Sequence, residues 1–416
     1  KMTTKTTFFP QDRNGNVVSV KLSKNRSYYM KKSASNPNGY TLTQAREREE
    51  ELVNEILSKA KESIERVFNA SDLDKNNDGN VDAIFIEADK VTEDKVEWSD
   101  LLWSHKISGM NLNVTLEGKK VNTYNLINTY DSNYLGGVFS MNQGTYGTII
   151  HEYMHVLGLP DLYRYNSSGD PVGFYDIMAT TTNYNPQGIL AYMTSEYNNL
   201  GWNSLSEIKS STSVTLNKPQ YSNPGEKRAV KIVSPVNDDE FFIVEYYEKR
   251  DKVYASDTSI SDGLVVYRIN SKVKNGNMNG TSTGKNDYLY VFRPNETSCG
   301  KGEGNLNQAV LSKNGRSSIG KPLNTTYSWN NDTLFYSNGT NSGITINITS
   351  SNSNSITFDI NVPIVQGDGS TAKPYLISSV DDLDLIRKNS TKVFKLLNDI
   401  DLSGVSNFQT ISNLEL

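Results

Sequence analysis

Cysteine is almost missing from this chain, and histidine is scarce: 416 residues hold one of the first and three of the second. With Cys299 alone, no intramolecular disulfide can form and no cysteine-ligated zinc site can be built. Cys299 itself reads as an ordinary, unreactive residue, since a reactive thiol needs an identifiable polar setting. Long apolar runs are missing too, and none approaches the ~20 residues of a membrane span. Forty-two basic residues stand against 47 acidic ones, a net charge of −5 with no basic stripe. Nucleic acid is therefore not an expected partner. The chain begins at Lys1 without a signal-like segment and reads as a mature fragment, so the missing signal carries no information on location.

What remains is a long, polar, mildly acidic chain. Its length exceeds what one hydrophobic core usually spans, and 36% hydrophobic residues suffice for packed cores. Asn, Ser, Thr and Tyr are plentiful, which fits a secreted protein. A secreted protein without disulfides needs another staple, and bound calcium is a common one.

Periodicity divides the chain. Between Leu42 and Asn69, apolar residues Leu52, Ile56, Ala60, Ile64 and Val67 recur at spacings of three and four, which predicts an amphipathic helix. Strand-like runs are expected at Val17–Leu22, Val81–Glu87, Leu112–Leu116 and Gly136–Ser140. A helix is expected around residue 150 and another from Pro186 to Leu200, the latter closing at Gly201. After Ser204 helical periodicity nearly vanishes. Short alternating strands follow at 229–233, 240–247, 263–269, 288–292, 343–348 and 356–360, as in an all-β sandwich. The expected fold class is thus α+β. A catalytic domain over 1–204 precedes a β-sandwich domain over 205–363, and 364–416 comprises a linker and the opening of a further module.

The most informative stretch is His151-Glu152-Tyr153-Met154-His155. Two histidines four residues apart lie on one face of a helix and can reach one ion. The glutamate beside the first is placed to take a proton from water at that ion. Gly158 falls three residues after His155, where the helix must stop and the chain turn back. That turn would return Asp161 to the metal as a third ligand, leaving one position for water. Glu196, in the second predicted helix, is the rival third ligand. Downstream, Met178 lies in Tyr175-Asp176-Ile177-Met178, a methionine-bearing turn of the kind that floors some zinc sites. On its own it would read as a core residue. His105, the third histidine, reads as a hydrogen-bonded structural residue.

A second constellation is Asp74-Lys75-Asn76-Asn77-Asp78-Gly79-Asn80-Val81-Asp82. Side-chain oxygens at positions 1, 3, 5 and 9, with glycine at 6, wrap one chain around a hard cation. Asp74, Asn76, Asp78, Asn80 and Asp82 are therefore candidate calcium ligands with a structural role. Phe85 stands where a full EF-hand has its bidentate glutamate, so Asp82 or Asp72 would have to substitute.

Leu102-Trp103-Ser104-His105, His151 through Tyr163, Val172 through Met178, and Leu200-Gly201-Trp202 together resemble the immune-inhibitor-A-type M6 metallopeptidases, secreted bacterial enzymes of the metzincin class. The resemblance implies a metzincin-like catalytic domain and zinc held by His151, His155 and Asp161. It also implies Glu152 as general base, Met178 beneath the metal, and a structural calcium at the 74–82 loop. Asp161 then ranks ahead of Glu196, because thermolysin-like peptidases, which take a glutamate from a second helix, lack the glycine and methionine turns. Two departures stand out. Arg164 follows Leu162-Tyr163 where the family often has another Asp, so the resemblance implies no extra metal contact in that loop. No tyrosine follows the methionine turn at the Met-x-Tyr spacing; Tyr184 and Tyr192 are nearby, but neither is assigned.

The function expected is a secreted, virulence-type zinc endopeptidase acting on proteins or peptides as a monomer. Residues 367–402 resemble the start of bacterial surface repeats, which implies attachment to a cell surface through modules beyond Leu416. The alternatives are a surface adhesin with a vestigial peptidase domain, against which the intact Glu152 speaks, and a zinc hydrolase of a non-protein amide.

Overall fold

The computed structural model describes residues 18–88, 100–128, 146–181, 186–197, 200–202, 204–219, 227–234, 237, 239–248, 262–322, 332–364, 367, 369–378, 380, 382–388, 391–403, 405, 408, 410 and 411. The long helix α1 (Ala45–Glu65) buries Leu52, Val53, Leu57 and Ala60 on one face. Its outer face carries Arg46–Glu50, Glu55–Lys59 and Lys61–Glu65 pairs one turn apart, a spacing that supports helices modestly. A one-turn helix, α2 (Ala70–Leu73), follows behind an Asn69–Asp72 capping box.

Strands β1 (Phe85–Ala88), β2 (His105–Ser108) and β5 (Thr123–Asn128) form a sheet in the order β1-β5-β2. β5 is parallel to β1 and antiparallel to β2. Between β2 and β5, β3 (Thr115–Leu116) and β4 (Lys119–Lys120) make a two-residue hairpin. Its turn residues, Glu117 and Gly118, both have positive φ, the conformation that tight hairpins need. One core joins α1 to the sheet through Leu52, Val53, Leu57, Ile86, Tyr124 and Leu126.

Three strand expectations are corrected here. The run at Val81 enters the sheet only at Phe85, because the N–H groups of Val81 and Asp82 go to Lys120 O and Leu73 O instead. The run at Leu112 shrinks to Thr115–Leu116, because Glu50 and Asn54 of α1 take the N–H groups of Asn111 and Asn113. Residues 18–22 form no strand. The run at 136–140 lies outside the described residues.

Helix α3 (Tyr146–Val156) packs against β2 and β5. The helix expected over 186–200 is much shorter, α4 (Ala191–Ser195). Two buried carboxylates set its start: Asp176 accepts the Leu190 N–H and Glu245 the Ala191 N–H, each at 2.8 Å. Side chains remote in sequence thus do the work of an N-terminal cap.

In the C-terminal half, β6 (Ser206–Ile208), β8 (Ala229–Ile232), β9 (Glu240–Tyr247), β10 (Gly263–Asn270) and β11 (Leu289–Val291) form a five-stranded sheet in the order β11-β10-β9-β8-β6. β7 (Thr212–Asn217), β12 (Ser318–Gly320), β13 (Thr345–Ser351) and β14 (Ser355–Asn361) form a four-stranded sheet in the order β12-β13-β14-β7. Phe242, Val244, Leu264 and Val266 point between the two sheets, toward Ile346, Phe358 and Ile360. The alternate residues Phe241, Ile243, Val265, Tyr267 and Ile269 point the other way, as the two-residue period of a strand requires. There they share a core with Met154, Leu162, Ile177, Met178 and Met193. The five-stranded sheet is therefore buried on both faces, and one of them carries the segment that follows α3.

A small terminal unit pairs β15 (Tyr375–Ile377) in parallel with β16 (Phe394–Leu396). Between them runs α5 (Leu383–Lys388), which buries Leu383 and Ile386 against Ile377.

Candidate metal centre

α3 ends where its sequence says it must. Gly158 takes a φ of 92°, open to glycine and strained for most other residues. The Leu159 N–H closes back on Met154 O at 3.0 Å. The reversal brings Asp161 to the helix, where its Oδ1 lies 3.1 Å from His151 Nε2 and 3.3 Å from His155 Nε2. Among the described residues, His151, His155 and Asp161 are the one group whose potential ligand atoms converge, all within 4.8 Å of one another.

Both imidazoles are held from behind. His151 Nδ1 lies 2.9 Å from Ile177 O, and His155 Nδ1 lies 2.7 Å from Leu159 O. A carbonyl oxygen only accepts, so each Nδ1 carries the proton, an assignment that follows from the network. In the neutral rings the Nε2 lone pairs then face Asp161. Asp161 Oδ1 is itself buried and receives no hydrogen bond. Two ring nitrogens and a carboxylate oxygen aimed at one point, with the other ring nitrogens tied to carbonyls, is the donor set of a two-histidine, one-carboxylate zinc site. The residues fit the ion. Burial works against charge on Asp161, but the two imidazoles outweigh it and hold its carboxyl well below the usual range. Burial likewise opposes the proton on His151, yet Asp161 and Glu152 raise its proton affinity.

Glu152 is only 5% exposed, and its Oε2 has no hydrogen-bond partner. Burial raises its proton affinity above the ordinary carboxylate value, against the pull of His151 and His155. A carboxylate held this way takes up and releases protons nearer neutrality.

Met178 is fully buried in the core shared with the five-stranded sheet. Its turn serves both ligand segments: Ile177 O orients His151, and Met178 O accepts the Leu162 N–H at 2.8 Å. Asp176, unassigned from sequence, organises the turn. Its carboxylate accepts the N–H groups of Met178 and Leu190, and burial pushes its pKa up to about 7.

The remaining candidates lie elsewhere. Glu196 pairs with Lys231 at 3.0 Å and stands outside the metal cluster. His105 faces α1, where its Nε2 meets Glu49 Oε1 at 3.0 Å and Glu49 also accepts the Tyr124 hydroxyl. Tyr192 packs on Phe241 and Tyr288. Tyr184 lies outside the described residues. Burial pushes the Cys299 thiol up to about 11, as befits an unreactive residue.

In the 74–82 loop the acidic groups are largely engaged by the protein itself. Asp74 accepts the N–H groups of Asp78 and Gly79 and holds the Lys119 ammonium at 2.7 Å. Asn76 and Asp78 accept the Asp78 and Asn80 N–H groups, and Asp82 accepts the Lys75 N–H. Asp74, Asp78 and Asp82 do not converge as a ligand group.

Sequence reasoning also missed the segment just after Asp161. Asp161, Tyr163 and Tyr165 face the metal site. The Tyr163 ring stacks over His151 at 6.5 Å and over Tyr165 at 5.3 Å, and the Tyr165 hydroxyl donates to Asp161 Oδ2. Leu162 and Arg164, between them, face the β-rich half. Leu162 enters the shared core, and Arg164 makes a bidentate pair with Asp287, both side chains being fully buried. The departure at Arg164 is thus an ion pair that ties the loop to the sheet. The alternation of residue types over 161–165 was the available signal, since alternate residues of an extended segment share a side.

Residues 11–188 match the family model described as immune inhibitor A peptidase M6, catalytic domain. No curated protein matches the chain.

Proposed function

From the premise that the chain carries an M6 metallopeptidase catalytic domain of the immune inhibitor A type, we propose that it is a secreted zinc endopeptidase of metzincin type acting on proteins. One observation carries the reading: Nε2 of His151, Nε2 of His155 and the donor-free Oδ1 of Asp161 converge beside the buried Glu152, whose Oε2 has no hydrogen-bond partner. These three residues would hold Zn²⁺, which when bound acidifies water and polarises a carbonyl. Glu152 takes the proton from the attacking water and passes it to the leaving amine. β2, at the edge of its sheet among the described residues and packed against α3, offers its outer backbone to an extended peptide by strand addition. Met178 supplies the apolar floor of the site, and the β-rich half supports it from behind.

The test is metal analysis with a casein or gelatin assay. One equivalent of zinc is expected, with proteolysis that a chelator stops and added zinc restores. A protein that holds zinc and cuts no protein would belong to the class of non-protein amide hydrolases instead.

Calcium at the 74–82 loop is a separate proposal. It rests on the oxygen spacing and on the positive φ of Gly79, 89°, at the sharp bend. Calcium would have to displace the Lys119 ammonium from Asp74. Chelating calcium is expected to lower the melting temperature, and Asp78→Ala to abolish that response. Melting curves that coincide with and without calcium would leave Lys119 as the loop's own cation.

A further inference from the structure

Asp161 is gripped from two directions, and only one of them lies within residues 11–188. From its own loop, the Tyr165 hydroxyl donates to Oδ2, the oxygen turned away from the two imidazoles. The Tyr163 ring stacks on Tyr165 at 5.3 Å, so the two phenols pack together beside the carboxylate. From the β-rich half, Asn277 donates its N–H to the Asp161 carbonyl at 2.8 Å. The Asn277 side chain, fully buried, donates to Leu162 O and Leu289 O at 2.8 Å each and accepts the Leu289 N–H at 3.0 Å. Gly276, with a φ of +62°, lets this strap approach: a Cβ there would stand 2.0 Å from Asp161 O. Met278 O accepts the Tyr165 N–H at 3.2 Å, closing the frame.

A carboxylate ligand has two equivalent oxygens and one free torsion. A donor fixed on one oxygen removes the equivalence and leaves the other for the ion; a fixed backbone sets how far that oxygen reaches. We propose that Tyr165 and Asn277 are positioning residues of the metal centre: Tyr165 selects Oδ1 of Asp161 as the ligand atom, and Asn277 holds the Asp161 backbone in place. The strap at 276–278, in the β-rich half, thereby sets part of the metal affinity of a site built on α3. This inference rests on the zinc reading above.

The test uses the full chain. Zinc affinity is measured by competition with a chromophoric chelator, and site geometry by the visible spectrum of the Co²⁺-loaded protein. Tyr165→Phe keeps the ring and its stacking on Tyr163 and removes one hydroxyl. It is expected to weaken zinc binding ~10–100-fold, the usual effect of losing an outer partner of a ligand. Its Co²⁺ spectrum should shift, while the metal-free protein still melts cooperatively. Asn277→Ala keeps the main-chain bond to Asp161 but frees the strap from Leu162 and Leu289, and should also lose zinc affinity, whereas Asn270→Ala should keep the parent's value. Asn270, the last residue of β10, is another buried asparagine, bonded to Ser337 and Lys272. A Tyr165→Phe protein with the parent's zinc affinity and Co²⁺ spectrum overturns the proposal, whatever Asn277→Ala does. Equal losses in Asn277→Ala and Asn270→Ala overturn the role of the strap. A parent protein that binds no zinc fails the zinc reading itself, so the two failures are distinguishable.

Discussion

Glu152→Gln is expected to retain its zinc and to lose ~10²–10⁴-fold in kcat/KM toward a protein substrate, the usual worth of a positioned acid–base group. The substitution preserves the shape of the side chain and leaves His151, His155 and Asp161 untouched; it removes only the ability to carry a proton. Burial raises the proton affinity of Glu152, so its charge is a cost to the folded state. A carboxyl whose folded pKa is raised contributes stability below its unfolded pKa and loses it as pH rises through the folded value. In the metal-free protein at neutral pH the glutamine variant should therefore melt at or above the temperature of the parent. Zinc content, activity and melting temperature together check the claim. A variant with full zinc and the parent's activity would remove Glu152 from the chemistry.

Arg164→Met should be among the most destabilising single changes outside the metal ligands, at about 3–5 kcal/mol. The guanidinium makes a bidentate pair with Asp287 and also donates to the carbonyls of Ser168, Gly300 and Lys301. Removing it strands the Asp287 carboxylate in the interior. Burial already raises that group's pKa, against the pull of Arg164. Asp287→Asn in the same chain should recover part of the loss, because an uncharged amide costs far less to bury than an unpaired charge. Chemical denaturation of the parent, both single variants and the double variant reads this as a coupling energy. A loss below about 1 kcal/mol for Arg164→Met would mean that the pair is solvated and does not tie the loop.

The elements legible in the sequence are those whose cause is local. The helix expected over 42–69 forms over Ala45–Glu65, because its apolar face repeats with the helical period. The convergence of His151, His155 and Asp161 also needed only local geometry: a four-residue helical spacing, a glycine able to take positive φ, and a three-residue return. Helix α4 shows the opposite case. Its apolar pattern suggested fifteen positions, 186–200, but the buried carboxylates of Asp176 and Glu245 set where it begins. The 74–82 loop has the spacing of a cation site, and nothing in that spacing signals that Lys119, 45 positions away, holds Asp74.

By itself, then, the sequence determined which three side chains converge, and which carboxylate follows the first of them. Tertiary structure decided what holds them there. Arg164 meets Asp287 across 123 positions, and Asn277 meets Leu162 across 115. Such partners leave no periodic trace, because a hydrogen bond between distant segments fixes neither the spacing nor the type of the residues that intervene. The five-stranded sheet, buried on both faces, is where those distant segments meet the loop that carries Asp161.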